Sequence, residues 1–131
     1  MKTNSYFDIG ANLTHESFDK DLITVIEEAK QNNVKKICIT STSIEDTRVS
    51  LKLLENDQNF FITTCGIHPH YADTFEESNI REIKELSEHP SVKAIGETGL
   101  DFNRNYSKKD NHCLLYTSDA ADEEDSVDLG G

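Results

Sequence analysis

The stretch VKKICITSTSIEDTRVSLKLLENDQNFFITTCGIHPH, residues 34–70, decides the fold. Ile37 and Ile39 flank Cys38 in an apolar run, Val34 to Ile39, that breaks into Thr40-Ser41-Thr42-Ser43. A short apolar run bounded by a polar cluster reads as a buried strand. Ser43 is placed to cap a helix carrying Val49, Leu53 and Leu54. Asn59 then precedes a second apolar run, Phe60 to Cys65, which stops at Gly66. A helix between two such strands is the usual parallel crossover.

Working outward, the unit repeats on both sides. Tyr6 to Ile9 is a strand ending at Gly10. From Glu16 the period changes. Phe18, Leu22, Val25, Ile26 and Ala29 follow i, i+4, i+7, i+8 and i+11, the stripe of an amphipathic helix. Asn32-Asn33 ends it. Downstream, a long polar loop leads to a helix with Ile80, Ile83 and Leu86. His89-Pro90 breaks that helix, and Val92 to Ile95 forms a fourth strand. The order β-α-β-α-β-α-β argues for parallel strands joined by right-handed crossovers.

An open doubly wound sheet and a (β/α)8 barrel compete for this pattern. The open sheet would carry a glycine-rich phosphate loop after its first strand. The sequence there reads Gly10-Ala11-Asn12-Leu13-Thr14-His15. Barrel chemistry gathers on the loops that follow the strands. The polar residues do the same: Asn12, Thr40 to Thr42, His68 and His70, then Glu97 and Asp101. The expected fold class is α/β, the first half of a (β/α)8 TIM barrel. It is incomplete in this chain, because a typical barrel needs about 250 residues and eight strands.

Composition narrows the function. The chain has 131 residues and a formal charge of −12, from 25 acidic and 13 basic residues. Residues 113–131 hold six acids and no Lys or Arg, so residues 1–112 carry 19 acids against 13 bases, or −6. Only Arg48, Arg81 and Arg104 are arginines. Bulk electrostatic binding of nucleic acid is excluded, and any such contact must be local. Cys38 and Cys65 fall in strands and read as buried, reduced thiols of a cytosolic protein. No run is long enough for a transmembrane helix, and no secretory leader precedes the first strand.

After His112 the text changes to CLLYTSDAADEEDSVDLGG, with neither stripe nor alternation. Cys113 to Ser118 resembles a translated transposase mosaic end from a sequencing library, and Asp119 to Glu123 the adaptor read next in frame. The chain is therefore divided into 1–112, half of a barrel, and 113–131, an adaptor-derived disordered tail to be set aside. A genuine acidic tail is the alternative.

Three places can carry chemistry. Glu97, between glycines after the fourth strand, is a metal ligand or general base, or else an ordinary turn acid. His68 and His70 stand at i, i+2 around Pro69, a metal pair or a surface turn. Arg104, in Asp101-Phe102-Asn103-Arg104-Asn105, can hold a phosphate bidentately or be solvated. His15 reads as a local helix-start residue, and His89 belongs to the opposite end of the barrel.

The runs Phe7-Asp8-Ile9-Gly10-Ala11-Asn12-Leu13-Thr14, Gly66-Ile67-His68-Pro69-His70 and Ala94 to Asn105 together resemble the TatD family of metal-dependent deoxyribonucleases. The resemblance covers residues 1 to about 112. It implies a barrel of the metal-dependent amidohydrolase type that hydrolyses phosphodiester bonds with a divalent metal, Mg²⁺ or Mn²⁺. It implies that Glu97 is a metal ligand and that His68 lies in the active site, so His68 and Glu97 are the expected catalytic residues. Asn12 and Arg104 are the expected substrate-binding residues. Further ligands, two histidines and an aspartate, would come from later strands. Most relatives open with D-x-H-x-H-L, whereas Gly10 and Asn12 stand at those histidine places here. Two missing nitrogens argue against two firmly held ions about 4 Å apart and favour Mg²⁺ or Mn²⁺ over Zn²⁺.

The resemblance thus implies a cytoplasmic DNase, a 3′→5′ exonuclease acting on the 3′ end of single-stranded DNA, with no membrane and no protein partner. This fragment alone is expected to be inactive. Hydrolysis of aminoacyl-tRNA esters, or a catalytically dead barrel scaffold, are the competing readings.

Overall fold

A computed structural model describes residues 4–99, 101 and 103. Arg104 and the whole of 113–131 lie outside the described residues, and so does the tail boundary. Four strands, β1 (Tyr6–Ala11), β2 (Val34–Ile39), β3 (Phe61–Cys65) and β4 (Val92–Ile95), alternate with α1 (Leu22–Gln31), α2 (Ile44–Leu54) and α3 (Glu77–Ser87). The sheet runs β1-β2-β3-β4, with every pair parallel. Each crossover moves one strand in the same direction, so crossovers of one hand put all three helices on one face. The burial of β3 records it. Phe61, Thr63 and Cys65 are buried, whereas Ile62 and Thr64 on the other face are only half-buried. This is the β/α arrangement expected, with four strands of the barrel present.

Two apolar clusters lie under the helices. Leu13, Ile37, Ile39, Leu54, Phe60 and Phe61 form the larger, with Phe18, Leu22, Val25, Ile26 and Ala29 packed on it. The predicted stripe therefore reports packing correctly. The predicted single helix from Glu16 does not hold. Glu16–Phe18 is a 3₁₀ turn, and α1 begins only at Leu22. His15 Nδ1 accepts the Ser17 N–H at 3.1 Å, which closes the turn early and makes His15 the local cap expected of it. Asn33 sits at φ 65°, a conformation asparagine tolerates, and its carbonyl accepts the Tyr6 N–H at 3.0 Å. That bond ties the end of α1 to the start of β1.

Ser43 does cap α2, accepting the Asp46 N–H at 3.0 Å. The expected apolar face of α2 is only partly right, because Val49 is 42% exposed. The buried face is Ile44, Thr47, Ser50 and Leu54. Two hydroxyls lie inward there because each finds a partner: Thr47 donates to the Ser43 carbonyl at 2.9 Å, and Ser50 meets Ser41. Ser41 Oγ sits 3.2 Å from both Ser50 Oγ and Thr63 Oγ1, and Thr63 donates to the Ile39 carbonyl at 3.0 Å. A satisfied buried network of this kind replaces apolar packing without leaving orphaned groups. Ile44, Ile67 and Ala72 form the second cluster, against which Ile83 and Leu86 of α3 pack.

Cys38 and Cys65 are buried free thiols, and burial pushes both up from the ordinary thiol value. No helix among the described residues is long and apolar enough to cross a membrane. Lys30 of α1 donates to Asp57 at 2.7 Å and lies 4.6 Å from the Phe60 ring centroid. The Lys30 hydrogen bond holds the Asp57 carboxyl below its ordinary value. A depressed carboxylate contributes stability above the ordinary carboxylate range and loses it as pH falls through its folded value.

Lys30→Met should therefore flatten the acid limb of the stability–pH curve without changing its neutral plateau by more than about 1 kcal/mol, since both groups are partly exposed. Leu54→Ala, at 1% exposure, should lower unfolding free energy by about 2–5 kcal/mol. Ile23→Ala, at 74% exposure, should change it by less than about 0.5 kcal/mol. Urea titrations across pH measure all three.

Candidate active site at the C-terminal end of the sheet

His68 is positioned by what flanks it. Ile67 is buried in the second cluster, and Pro69 is buried as the first residue of a 3₁₀ helix, Pro69–Thr74. A residue before proline is held extended, and His68 has φ −61° and ψ 145°. Its Nδ1 accepts the His70 backbone N–H at 3.1 Å. With Nδ1 occupied as acceptor, the proton of the neutral ring sits on Nε2. That nitrogen lies 3.3 Å from Glu97 Oε1. The His68 side chain is 19% exposed and that of Glu97 52%, so the pair is rooted in protein on one side and open on the other.

His70 packs edge-on against His68, ring centroids 4.3 Å apart at 73°. Its Nε2 lies 2.9 Å from Asp101 Oδ2. The two histidines thus meet, but not as an extended i, i+2 pair. Pro69 starts a 3₁₀ turn that folds His70 back over His68. The sequence offers His70 only as one half of a metal pair with His68, and Asp101 only as a carboxylate of the last loop. Both stood in the motifs, yet their partnership joins loops after β3 and β4, which spacing alone does not reveal.

The β2 loop organises the pair through its backbone. The Ser41 carbonyl accepts the Glu97 N–H at 3.0 Å, and the Thr42 carbonyl accepts the His68 N–H at 2.8 Å. Gly96 N–H donates to the Cys65 carbonyl at 2.8 Å, so the chain beyond β4 runs against the end of β3. A Cβ on Gly66 would lie 2.7 Å from the Gly96 carbonyl carbon, and there is no room for one. A Cβ on Gly96 would meet nothing within 4 Å.

Asn12 follows β1 at the same end of the sheet and is exposed. Its carbonyl accepts the His15 N–H at 3.2 Å. Among the described residues, no hydrogen bond joins the Asn12 side chain to His68 or Glu97. A Cβ on Gly10 would sit 3.5 Å from Thr40 Oγ1, an ordinary contact. Glycine there removes a donor without being required for space. His89 lies at the other end, its Nδ1 accepting the Ser91 N–H before β4.

Among the described residues, no three His, Cys, Asp or Glu side chains converge as a ready cation cage. The donors gathered there are the half-exposed Glu97 carboxylate and the His68 imidazole, with the His70–Asp101 pair beside them. A carboxylate there can hold a divalent cation together with water and substrate oxygens.

The family model described as TatD related DNase matches residues 7–126. The chain is 46% identical over 101 residues to the 3'-5' ssDNA/RNA exonuclease TatD of Musicola paradisiaca, covering 77% of this chain and 38% of that protein. It is 39% identical over 115 residues to the protein of the same name from Rahnella sp., covering 88% and 44%. The chain thus spans less than half the length of these relatives. Its fold matches a TatD family hydrolase from Entamoeba histolytica with a TM-score of 0.80 at 28% identity, covering 93% of this chain and 47% of that one. It also matches the TatD homolog YJJV of Escherichia coli, TM-score 0.72 at 25% identity, covering 86% and 44%.

Gly66→Ala should displace the Gly96-Glu97 segment and destabilise the chain by about 1–3 kcal/mol, the usual cost of overpacking. Gly96→Ala should leave both stability and the Glu97 amide resonance nearly unchanged. Thermal melts and backbone amide spectra of the two variants make the comparison.

Proposed function

Because the chain belongs to the TatD-related DNase family, we propose that it carries part of the active site of a metal-dependent nuclease that shortens single-stranded DNA or RNA from the 3′ end. The observation that carries this reading is the His68–Glu97 contact at 3.3 Å, at the end of a barrel sheet where such folds keep their chemistry. The names of the relatives support the substrate and polarity.

In this reading Glu97 holds a divalent cation, Mg²⁺ or Mn²⁺, through a carboxylate that stays open to solvent. Bound there, the ion would polarise a phosphoryl oxygen and lower the pKa of a water. His68 presents Nε2–H toward the same space and donates to a phosphate oxygen. His70 holds the His68 ring from one side. Arg104 and Asn12 would bind the strand, Asn12 from its exposed place after β1. The chain acts in the cytoplasm, consistent with two buried free thiols. Residues 113–131 are set apart in this reading as an adaptor-derived tail, against a family match that runs on to residue 126. An unrelated nucleotide sequence in that region would remove this last point.

A chain extended to the length of its relatives should shorten 5′-labelled single strands from the 3′ end with Mg²⁺ and stop on chelation. Glu97→Ala should lower kcat at least about 10²-fold, the scale seen when one transition-state contact is removed. The 131-residue chain should show no turnover. Undiminished degradation by the Glu97→Ala variant would overturn the assignment. Cleavage of aminoacyl-tRNA esters without strand shortening would move the reading to that substrate, and neither activity would leave a scaffold.

A further inference from the structure

We propose that Asp46, on the first turn of α2, is a positioning residue for the His68–Glu97 pair, acting through Thr42 and touching neither partner itself. One carboxylate oxygen, Oδ2, accepts both the Thr42 N–H at 2.8 Å and the Thr42 hydroxyl at 3.1 Å. Asp46 is in turn fixed, since its own N–H donates to Ser43 Oγ at 3.0 Å at the cap of α2. Thr42 is thereby held on its N–H and side-chain groups, and its carbonyl is left to accept the His68 N–H at 2.8 Å. The adjoining residue is clamped as well. Ser41 N–H donates to Thr64 Oγ1 at 3.0 Å, and Ser41 Oγ is locked between Ser50 and Thr63. The Ser41 carbonyl then accepts the Glu97 N–H.

Two consecutive carbonyls on one rigid segment therefore set two site residues that come from different strands. A charged acceptor is the strongest anchor in this set, because bonds to an ionised carboxylate exceed neutral ones. Asp46 is half-buried, and as the third residue of the helix it also sits where the N-terminal helix dipole favours a carboxylate. The bond to Ser43 uses only the Asp46 backbone N–H and leaves the carboxylate out, whereas the two carboxylate bonds go to Thr42, the residue whose carbonyl holds His68. The two bonds to Thr42 point the residue at the site.

The inference rests on the reading of His68 and Glu97 as the working pair, but its test uses neither metal nor nucleic acid. Failure of the nuclease reading therefore leaves it measurable. In the 131-residue chain, Asp46→Ala should speed hydrogen exchange of the His68 amide about tenfold and that of Glu97 by less, with Ile39 and Ile37 amides unchanged. Long-range ¹H–¹⁵N spectra should show the His68 ring losing its dominant Nε2–H form. Asp46→Asn, which keeps an acceptor oxygen, should restore most of both. If Asp46→Ala does not fold, Thr42→Val removes only the hydroxyl bond and should give a smaller loss confined to the same two amides. Unchanged His68 exchange, or acceleration of all amides together, would overturn the proposal.

Discussion

The hydrogen bond from the Glu97 N–H to the Ser41 carbonyl, 3.0 Å long, is the constraint on which the site depends. It joins the loop after β2 to the loop after β4, across the end of the strand between them. That crossing is possible only because Gly66 has no Cβ to strike the Gly96 backbone. Close approach draws the β4 exit over β3, the carbonyl of Ser41 then meets it, and the Glu97 carboxylate arrives beside His68. An acidic side chain that is half exposed has many rotamers to choose from, so its backbone must be fixed first.

Periodicity made most of the architecture readable. Val34–Ile39 and Val92–Ile95 are strands at the expected residues because a short apolar run between polar clusters has few alternatives. The apolar stripe of α1 also reported its packing. What failed did so for local reasons. A side-chain cap at His15 turned the start of a helix into a 3₁₀ turn, and hydropathy does not weigh such bonds. Val49 was misplaced because α2 buries Thr47 and Ser50 instead, and a hydroxyl network looks like surface to any apolar count.

The site divides along the same line. His68 and Glu97 were recognisable by type, place after a strand and neighbouring glycine or proline. Their distance, and the tautomer of His68, follow from backbone donors and acceptors that every residue carries. Thr42, Asp46 and the Gly66 contact have no signature for that reason. The His70–Asp101 contact at 2.9 Å was hidden differently, since it joins residues from two loops that only the fold brings together.

The open faces of the sheet bear on how such a site is completed. Tyr6, Phe7 and Ile9 of β1 and Ile95 of β4 are large apolar side chains left exposed, at 56, 50, 78 and 41%. In a closed barrel β1 and β4 would each gain a neighbour, and this apolar surface would leave water. The site needs the same closure for an electrostatic reason. Residues 1–112 carry a net charge of −6 and offer a polyanion no long-range attraction. In the proposed reading, contact with phosphate would come from short-range donors such as His68, beside the Glu97 carboxylate. Desolvation strengthens each of those contacts. Glu97 at 52% exposure is still largely in water. The four strands place the acid and the imidazole, and closing the barrel around them is what would make their charges count.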